Sequence, residues 1–334
     1  MLDKTDASTL AMNDAISDAM SDAANDAVSD TTSDAITADA QYFEYTSSAN
    51  PIGAKLISRV PYRSFHASLH DSGPTRTVPL DLSAELGCPG PATGPGLAAH
   101  FVRIVAGERV TFAPNATSLL FYAIDGSGIA SQGNTRFQFA KGDFFTMPGN
   151  AQVQVEAEST MRLYYVNDAP LLTYLGVIAS SARFAPTLYP AARAEEELRK
   201  VSSAPGARQR NRVSILLGNA RFPQTRTVTH TLWAMFGVVA PDTMQKPHRH
   251  QSIALDFISD CKPGCYTLVG TDLNERGEIV KPERVDWEPG MAFVTPPGYW
   301  HAHFNESGEN GYVIPIQDAG LQTYLRSLDI RFAH

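Results

Sequence analysis

The sequence predicts an all-β protein of the barrel or sandwich kind, preceded by an acidic, low-complexity tail. Three observations carry that expectation. Short runs rich in Val, Ile, Phe and Tyr are separated by Gly, Pro, Asn and Asp, as in Phe101 to Val110, Leu119 to Ile124 and Asp143 to Met147, which is the punctuation of short strands. Ahead of them, an Asp-Ala-rich repeat has too few large apolar residues to build a core. Near the C-terminal end, His248-Arg249-His250 and His301-Ala302-His303 place four of the nine histidines in two clusters. Alternate residues of a strand share a face, so each cluster can aim both imidazoles the same way.

In chain order, residues 1 to 42 form the tail. Asp14, Asp18, Asp22, Asp26, Asp30 and Asp34 recur every four residues. Helical spacing would stack these like charges on one face, which is destabilising at each i,i+4 pair. A disordered or transiently helical segment is therefore expected. Residues 1 to 40 hold nine aspartates and one lysine, a balance of −8 that equals the formal charge of the whole 334-residue chain. The remainder is near neutral, so no basic patch recommends nucleic acid as a partner. The tail reads as a dispensable extension, a partner-binding arm being the alternative.

Residues 43 to 190 carry the first set of strand patterns. Residues 191 to 212 read as a connector, in which Ala194-Glu-Glu-Glu-Leu-Arg-Lys suggests a charged helix and Ser-Ser-Ala-Pro-Gly a breaker. Residues 213 to 334 hold the histidine clusters. A chain that is 43% hydrophobic and 19% charged can fill two cores of ordinary size. No run approaches the ~18 apolar residues of a membrane span, and Met-Leu-Asp-Lys lacks the order of a signal peptide. A cytoplasmic protein is the default expectation. Cys88, Cys261 and Cys265 lack the spacing of a disulfide framework, and Cys261 and Cys265 flank a Lys-Pro-Gly turn as loop thiols.

The clusters sit in longer frames. Gly290, Pro296, Gly298, His301 and Asn305 fill every fixed position of G-x5-P-x-G-x2-H-x3-N, which resembles the second signature of the cupin superfamily. His248 and His250 fit the first signature, G-x5-H-x-H-x3-E-x6-G, but Asp242, Ala254 and Cys261 stand at its first glycine, its glutamate and its last glycine. The usual four-ligand set thus reduces to His248, His250 and His301. With the strings HRHQSIALDF and YWHAHFNES, this resembles the gentisate 1,2-dioxygenase group of two-barrel ring-cleaving enzymes. The same frame lies on the first half through Gly107, Gly126, Gly142, Pro148, Asn150 and Ala157. Its ligand positions hold Ala113, Asn115, Leu119 and Val153, so that barrel is expected to be metal-free. The resemblance implies a bicupin, two jelly-roll (double-stranded β-helix) barrels, one degenerate and one metal-loaded.

Further expectations follow from that resemblance. Three histidines would hold Fe(II), although imidazole suits several divalent metals and manganese, nickel and zinc stay open. A hydroxylated aromatic substrate and dioxygen would be the partners, and fused barrels of this family often pack as dimers or tetramers. Counting in twos from His248 puts His250, Ser252, Ala254 and Asp256 on the inner face. The resemblance places a carboxylate-holding arginine at position 256, so Asp256 reverses that charge and argues against gentisate itself. Asp256 could read the substrate, support or complete the ligand set, or pair with a buried arginine. His303 shares the inner face and suits proton transfer or steering of dioxygen. Trp287, Tyr299 and Trp300 read as wall or interface aromatics. His66, His70, His100, His230 and His334 match no ligand spacing. The sequence therefore favours an Fe(II)-dependent aromatic ring-cleaving dioxygenase over a non-catalytic metal- or small-molecule-binding bicupin, or a metal-dependent isomerase or hydrolase.

Overall fold

A computed structural model describes residues 33 to 333, and most of the Asp repeat lies outside the described residues. The chain divides into two compact units, Met1–Ala54 and Lys55–His334. In the first, the described stretch holds the short helices Ser33–Thr37 and Tyr45–Ser48, the latter capped by Glu44, whose carboxylate accepts from the amides of Thr46 and Ser47. The second unit is built of antiparallel strands in four sheets.

Each half of this unit is a sandwich of two sheets. The first half joins a six-stranded sheet, from Arg76–Pro79 through Ala98–Ile104 to Thr187–Tyr189, to a four-stranded one containing Arg109–Phe112 and Val153–Ala157. The second half joins a six-stranded sheet containing Ala254–Asp260 and Ala292–Thr295 to a five-stranded one containing Thr243–Arg249 and Trp300–Asn305. The expected run Phe101 to Val110 is two strands, because Gly107, at φ +80°, turns the chain between Ile104 and Arg109. The strand Arg63–Phe65 precedes the first sandwich in sequence yet pairs with Ala292–Thr295 of the second, with Ser64 opposite Phe293. Between the halves, the helix Ala191–Ser202 is laced by ion pairs from Arg193 and Lys200 to Glu196 and Glu197.

Three apolar cores explain why many strands read as continuous apolar runs rather than alternating ones. Phe112, Leu119, Phe121, Phe145, Val153 and Tyr165 fill the first barrel, with Phe121 stacked 4.6 Å from both Phe145 and Tyr165. Two of the four frame positions that lack ligands, Leu119 and Val153, are therefore part of a solid aromatic interior. Val239, Ile258, Val269, Trp287 and Phe293 line the second barrel. The third core lies between the two six-stranded sheets, where Phe101, Tyr122 and Tyr164 meet Leu255, Phe257 and Ile314. Outward-facing residues such as Leu255 therefore meet the other barrel rather than water. Cys88, Cys261 and Cys265 are free thiols. No helix of the described residues is long and apolar enough to cross a membrane.

Candidate metal and substrate site

Two neighbouring antiparallel strands bring the histidine clusters together. His248, near the end of Thr243–Arg249, stands directly opposite His301 on Trp300–Asn305. A register shift between Gln245 and His248 bends the strand just ahead of the cluster, the usual effect of a bulge on local aim. His250 follows the strand's end, and its carbonyl accepts the amide of Gly298 at 2.7 Å. Gly298 has φ +77°, a conformation that favours glycine. That hydrogen bond ties the first signature to the second.

The result is one buried group: side-chain nitrogens of His248, His250 and His301 all lie within 4.8 Å of one another. Their outer nitrogens are set in different ways. Nδ1 of His250 donates to the Ser252 carbonyl at 2.8 Å, and Nδ1 of His301 donates to the Tyr299 carbonyl at 3.2 Å. A carbonyl only accepts, so both rings carry their hydrogen on Nδ1 and present a bare Nε2, as a metal ligand must. Nε2 of His250 is buried without a partner among the described residues, as is Nδ1 of His248. Burial, with the neighbouring cations, holds His248, His301 and His303 well below the usual imidazole range, and burial brings His250 down to about 4. All four are therefore neutral near pH 7, the form that ligates. The donor set, geometry and protonation fit a divalent ion with open positions.

His303 is fully buried and turns its Nε2 into the same space, while its Nδ1 is 2.8 Å from the Thr267 hydroxyl. Asp256 lies on the inner face of Ala254–Asp260, between the outward Leu255 and Phe257. Arg249 ends one strand and Ala254 begins the next, yet the alternation counted from His248 resumes in phase. The Asp256 carboxylate accepts from Thr295 Oγ1 at 2.7 Å. Burial raises its pKa to about 6, against the lowering effects of that bond and of Arg212.

Arg212 is the residue that sequence reasoning missed, having been assigned to the connector. It immediately precedes the strand Val213–Leu217. Its Nη2 lies 2.5 Å from His248 Nε2, 3.1 Å from His303 Nε2 and 3.4 Å from His301 Nε2. Nε and Nη1 have no partner among the described residues. Burial lowers its pKa to about 10, opposed by Asp256, so it stays cationic at neutral pH. The pocket thus holds both charges, and Asp256 does not by itself set its sign. Parity could not have singled it out, because Arg210 and Arg212, two residues apart, would share a face of an extended strand.

The remaining aromatics divide. The Trp287 indole is buried and donates to Thr267 Oγ1 at 2.8 Å, whereas Trp300 lies under the Arg249 guanidinium at 5.1 Å. Of the histidines without ligand spacing, His70 bonds the Gly290 carbonyl through Nε2 and His66 faces Glu288 in a largely exposed pair.

No protein-family model matches the chain. Among curated proteins, a gentisate 1,2 dioxygenase 1 of Aquipseudomonas alcaligenes is 27% identical over 142 residues, 42% of this chain and 38% of the relative. A gentisate 1,2-dioxygenase of a Streptomyces species is 29% identical over 79 residues, 24% of this chain and 22% of the relative. The matched stretches thus span well under half of these relatives. Among solved structures, a salicylate 1,2-dioxygenase from Pseudaminobacter salicylatoxidans superposes with a TM-score of 0.64 at 14% identity, covering 82% of this chain and 88% of that one. A structure of that enzyme with gentisate superposes with a TM-score of 0.65 at 11% identity, covering 99% and 96%.

Proposed function

We propose that this protein, a bicupin resembling the gentisate 1,2-dioxygenase group, is an Fe(II)-dependent dioxygenase that cleaves the ring of a hydroxylated aromatic compound. The observation that carries the reading is the set of three buried imidazoles within 4.8 Å, two of them with Nδ1 committed to carbonyls. His248, His250 and His301 would hold the ion. Iron bound there supplies a path for electrons between an electron-rich ring and dioxygen, which side chains lack. Both oxygen atoms of one dioxygen enter the cleaved ring.

The protein's own residues would bind and orient the substrate. An ion on these nitrogens and the Arg212 guanidinium compete for one space, since Nη2 is 2.5 Å from His248 Nε2. Arg212 would turn away on loading, and its unpartnered N–H groups would meet either Asp256 or an anionic group of the substrate. A carboxylate on the ring satisfies them best, because a buried guanidinium gains most from a charged acceptor. Asp256 then serves as the arginine's counter-charge and limits how many anionic groups the pocket accepts. His303 would manage a proton at the substrate oxygen.

Oxygen consumption by anaerobically Fe(II)-loaded protein, against hydroxylated aromatics with and without a carboxylate, tests this reading alongside His301→Ala. Uptake that needs both iron and His301 and yields a ring-opened product is expected. Iron binding without uptake on any ring would favour a non-catalytic bicupin. The guanidinium beside the imidazoles of His248, His301 and His303 suits that second reading, as a pocket for a small anion.

A further inference from the structure

The strand that carries His248 has a second neighbour besides Trp300–Asn305. The short strand Arg331–Phe332 pairs antiparallel with Thr243–Arg249, placing Phe332 directly opposite His248 and Arg331 opposite Arg249. Two further bonds bracket this contact. The Ala333 amide donates to the Pro247 carbonyl at 2.8 Å, and the Asp329 amide donates to Gln251 Oε1 at 2.8 Å. The stretch from Pro247 to Gln251, which holds His248 and His250, is thus clamped along one edge by residues 329 to 333.

Directly opposed residues of an antiparallel pair project from the same face of the sheet, so Phe332 stands on the same side as His248. The two rings are 5.9 Å apart between centroids and nearly parallel, at 20°, within the range of a favourable offset stack. What His248 lacks makes this contact count. His250 and His301 are each tied at Nδ1 to a carbonyl, whereas Nδ1 of His248 has no partner among the described residues. The terminal torsion of an imidazole is broad and two-fold, and a ligating histidine is ordinarily oriented by a bond at its other nitrogen. Arg212 touches Nε2, the atom an ion would claim, so it cannot orient the ring and let it ligate at once. Ring packing is left to do so: His301 lies 3.9 Å away at a tilt of 56°, and Phe332 supplies the nearly parallel face. We infer that residues 329 to 333 form a clip in which Phe332 is a positioning residue, holding the ring of His248 in one orientation.

The clip is weak by construction. Its strand has two residues, Phe332 is 48% exposed, and Arg331 faces Arg249, a like-charge pair that opposes pairing. Each cation is offset separately, Arg331 by Asp329 at 2.6 Å and Arg249 by the Trp300 ring at 5.1 Å. Such an edge opens at much lower cost than the buried strands beneath it. Loosening it therefore disturbs the histidine without unfolding the barrel.

The ligand role of His248 rests on the proposed function, but the ring contact does not, and the test separates them. Proton spectra of full-length, metal-free protein, with His248→Gln used for assignment, read the contact directly, because a phenyl ring displaces the resonances of protons near it. Phe332→Ala should displace the His248 ring resonances. In the same variant, Zn(II) affinity measured by competition with a chromophoric chelator should fall roughly 3- to 10-fold, the worth of one aromatic pair, and the visible absorption of bound Co(II) should change. Phe332→Tyr keeps the ring and should retain wild-type behaviour in all three. Ala333→Pro removes the amide bond to Pro247 without touching the phenyl ring and should reproduce the loss seen in Phe332→Ala, with the urea midpoint of the metal-free protein unchanged. Unmoved His248 resonances in Phe332→Ala would overturn the inference. So would the absence of a nuclear Overhauser effect between the two rings in the wild type, which decides the matter even if no variant folds. If the rings touch and the wild type binds no divalent ion, the clip stands and the dioxygenase reading fails. If the ion binds and Phe332→Ala keeps the wild-type affinity and Co(II) spectrum, the positioning role alone fails.

Discussion

Replacing Asp256 by Asn should change how stability depends on pH, in a direction that discriminates between two accounts of this carboxylate. Burial raises its pKa from 3.8 to about 6 in the folded protein, while Thr295 and Arg212 pull the other way. A folded-state pKa above the unfolded value means the native state holds the proton more tightly. Its stabilising effect is fully present below pH 3.8 and is lost as pH rises through about 6. At about 1.4 kcal/mol per pH unit, the interval between 3.8 and about 6 corresponds to ~3 kcal/mol. The amide in the Asp256→Asn variant cannot titrate, and the buried histidines titrate in both proteins, so they cancel in the comparison. Urea denaturation of the chelator-treated proteins across this range measures the difference in unfolding free energy. Wild type should lose about 3 kcal/mol relative to the variant as pH rises. A constant difference, or a wild type that gains on the variant with pH, would refute the reasoning. It would mean that ion pairing with Arg212 outweighs desolvation and that Asp256 is an ordinary buried salt-bridge partner.

The other predictions concern the site and the joint between the barrels. His301→Ala should weaken binding of Fe(II) or Zn(II) by at least ~100-fold in equilibrium dialysis, and unchanged affinity would place the ion elsewhere. Arg212→Met should raise KM for a carboxylate-bearing phenol by ~10 to 100-fold, the ~1.5–3 kcal/mol of a hydrogen bond to a charged group. It should leave a neutral phenol nearly unaffected, and equal effects on both would remove Arg212 from substrate recognition. Phe257→Ala should lower unfolding free energy by ~3–5 kcal/mol. Its ring packs 4.9 Å from Tyr164, 5.5 Å from Tyr122 and 6.4 Å from Phe101 of the other barrel. A loss below ~1 kcal/mol in urea melts would mean that the two six-stranded sheets do not share a core.

What the sequence by itself determined is local. Strand periodicity and turn residues specify an all-β chain because side-chain alternation and glycine's access to positive φ act within a few residues. His-x-His on a strand, and the frame from Gly290 to Asn305, were legible for the same reason: a two-residue spacing fixes a shared face. Even the inward position of Asp256 followed from counting in twos. Tertiary structure decided what those faces meet. Leu255 and Phe257 point out of their barrel, yet they are buried because the other barrel covers them, and no local pattern announces a partner sheet. The strand Arg63–Phe65 joins the second barrel although it precedes the first, since pairing depends on edges that come together only on folding. Arg212 reaches the histidines from 36 and 89 residues away in sequence. Spacing can show which side chains share a face, but charge balance and hydrogen placement depend on long-range neighbours, and only the folded chain supplies those.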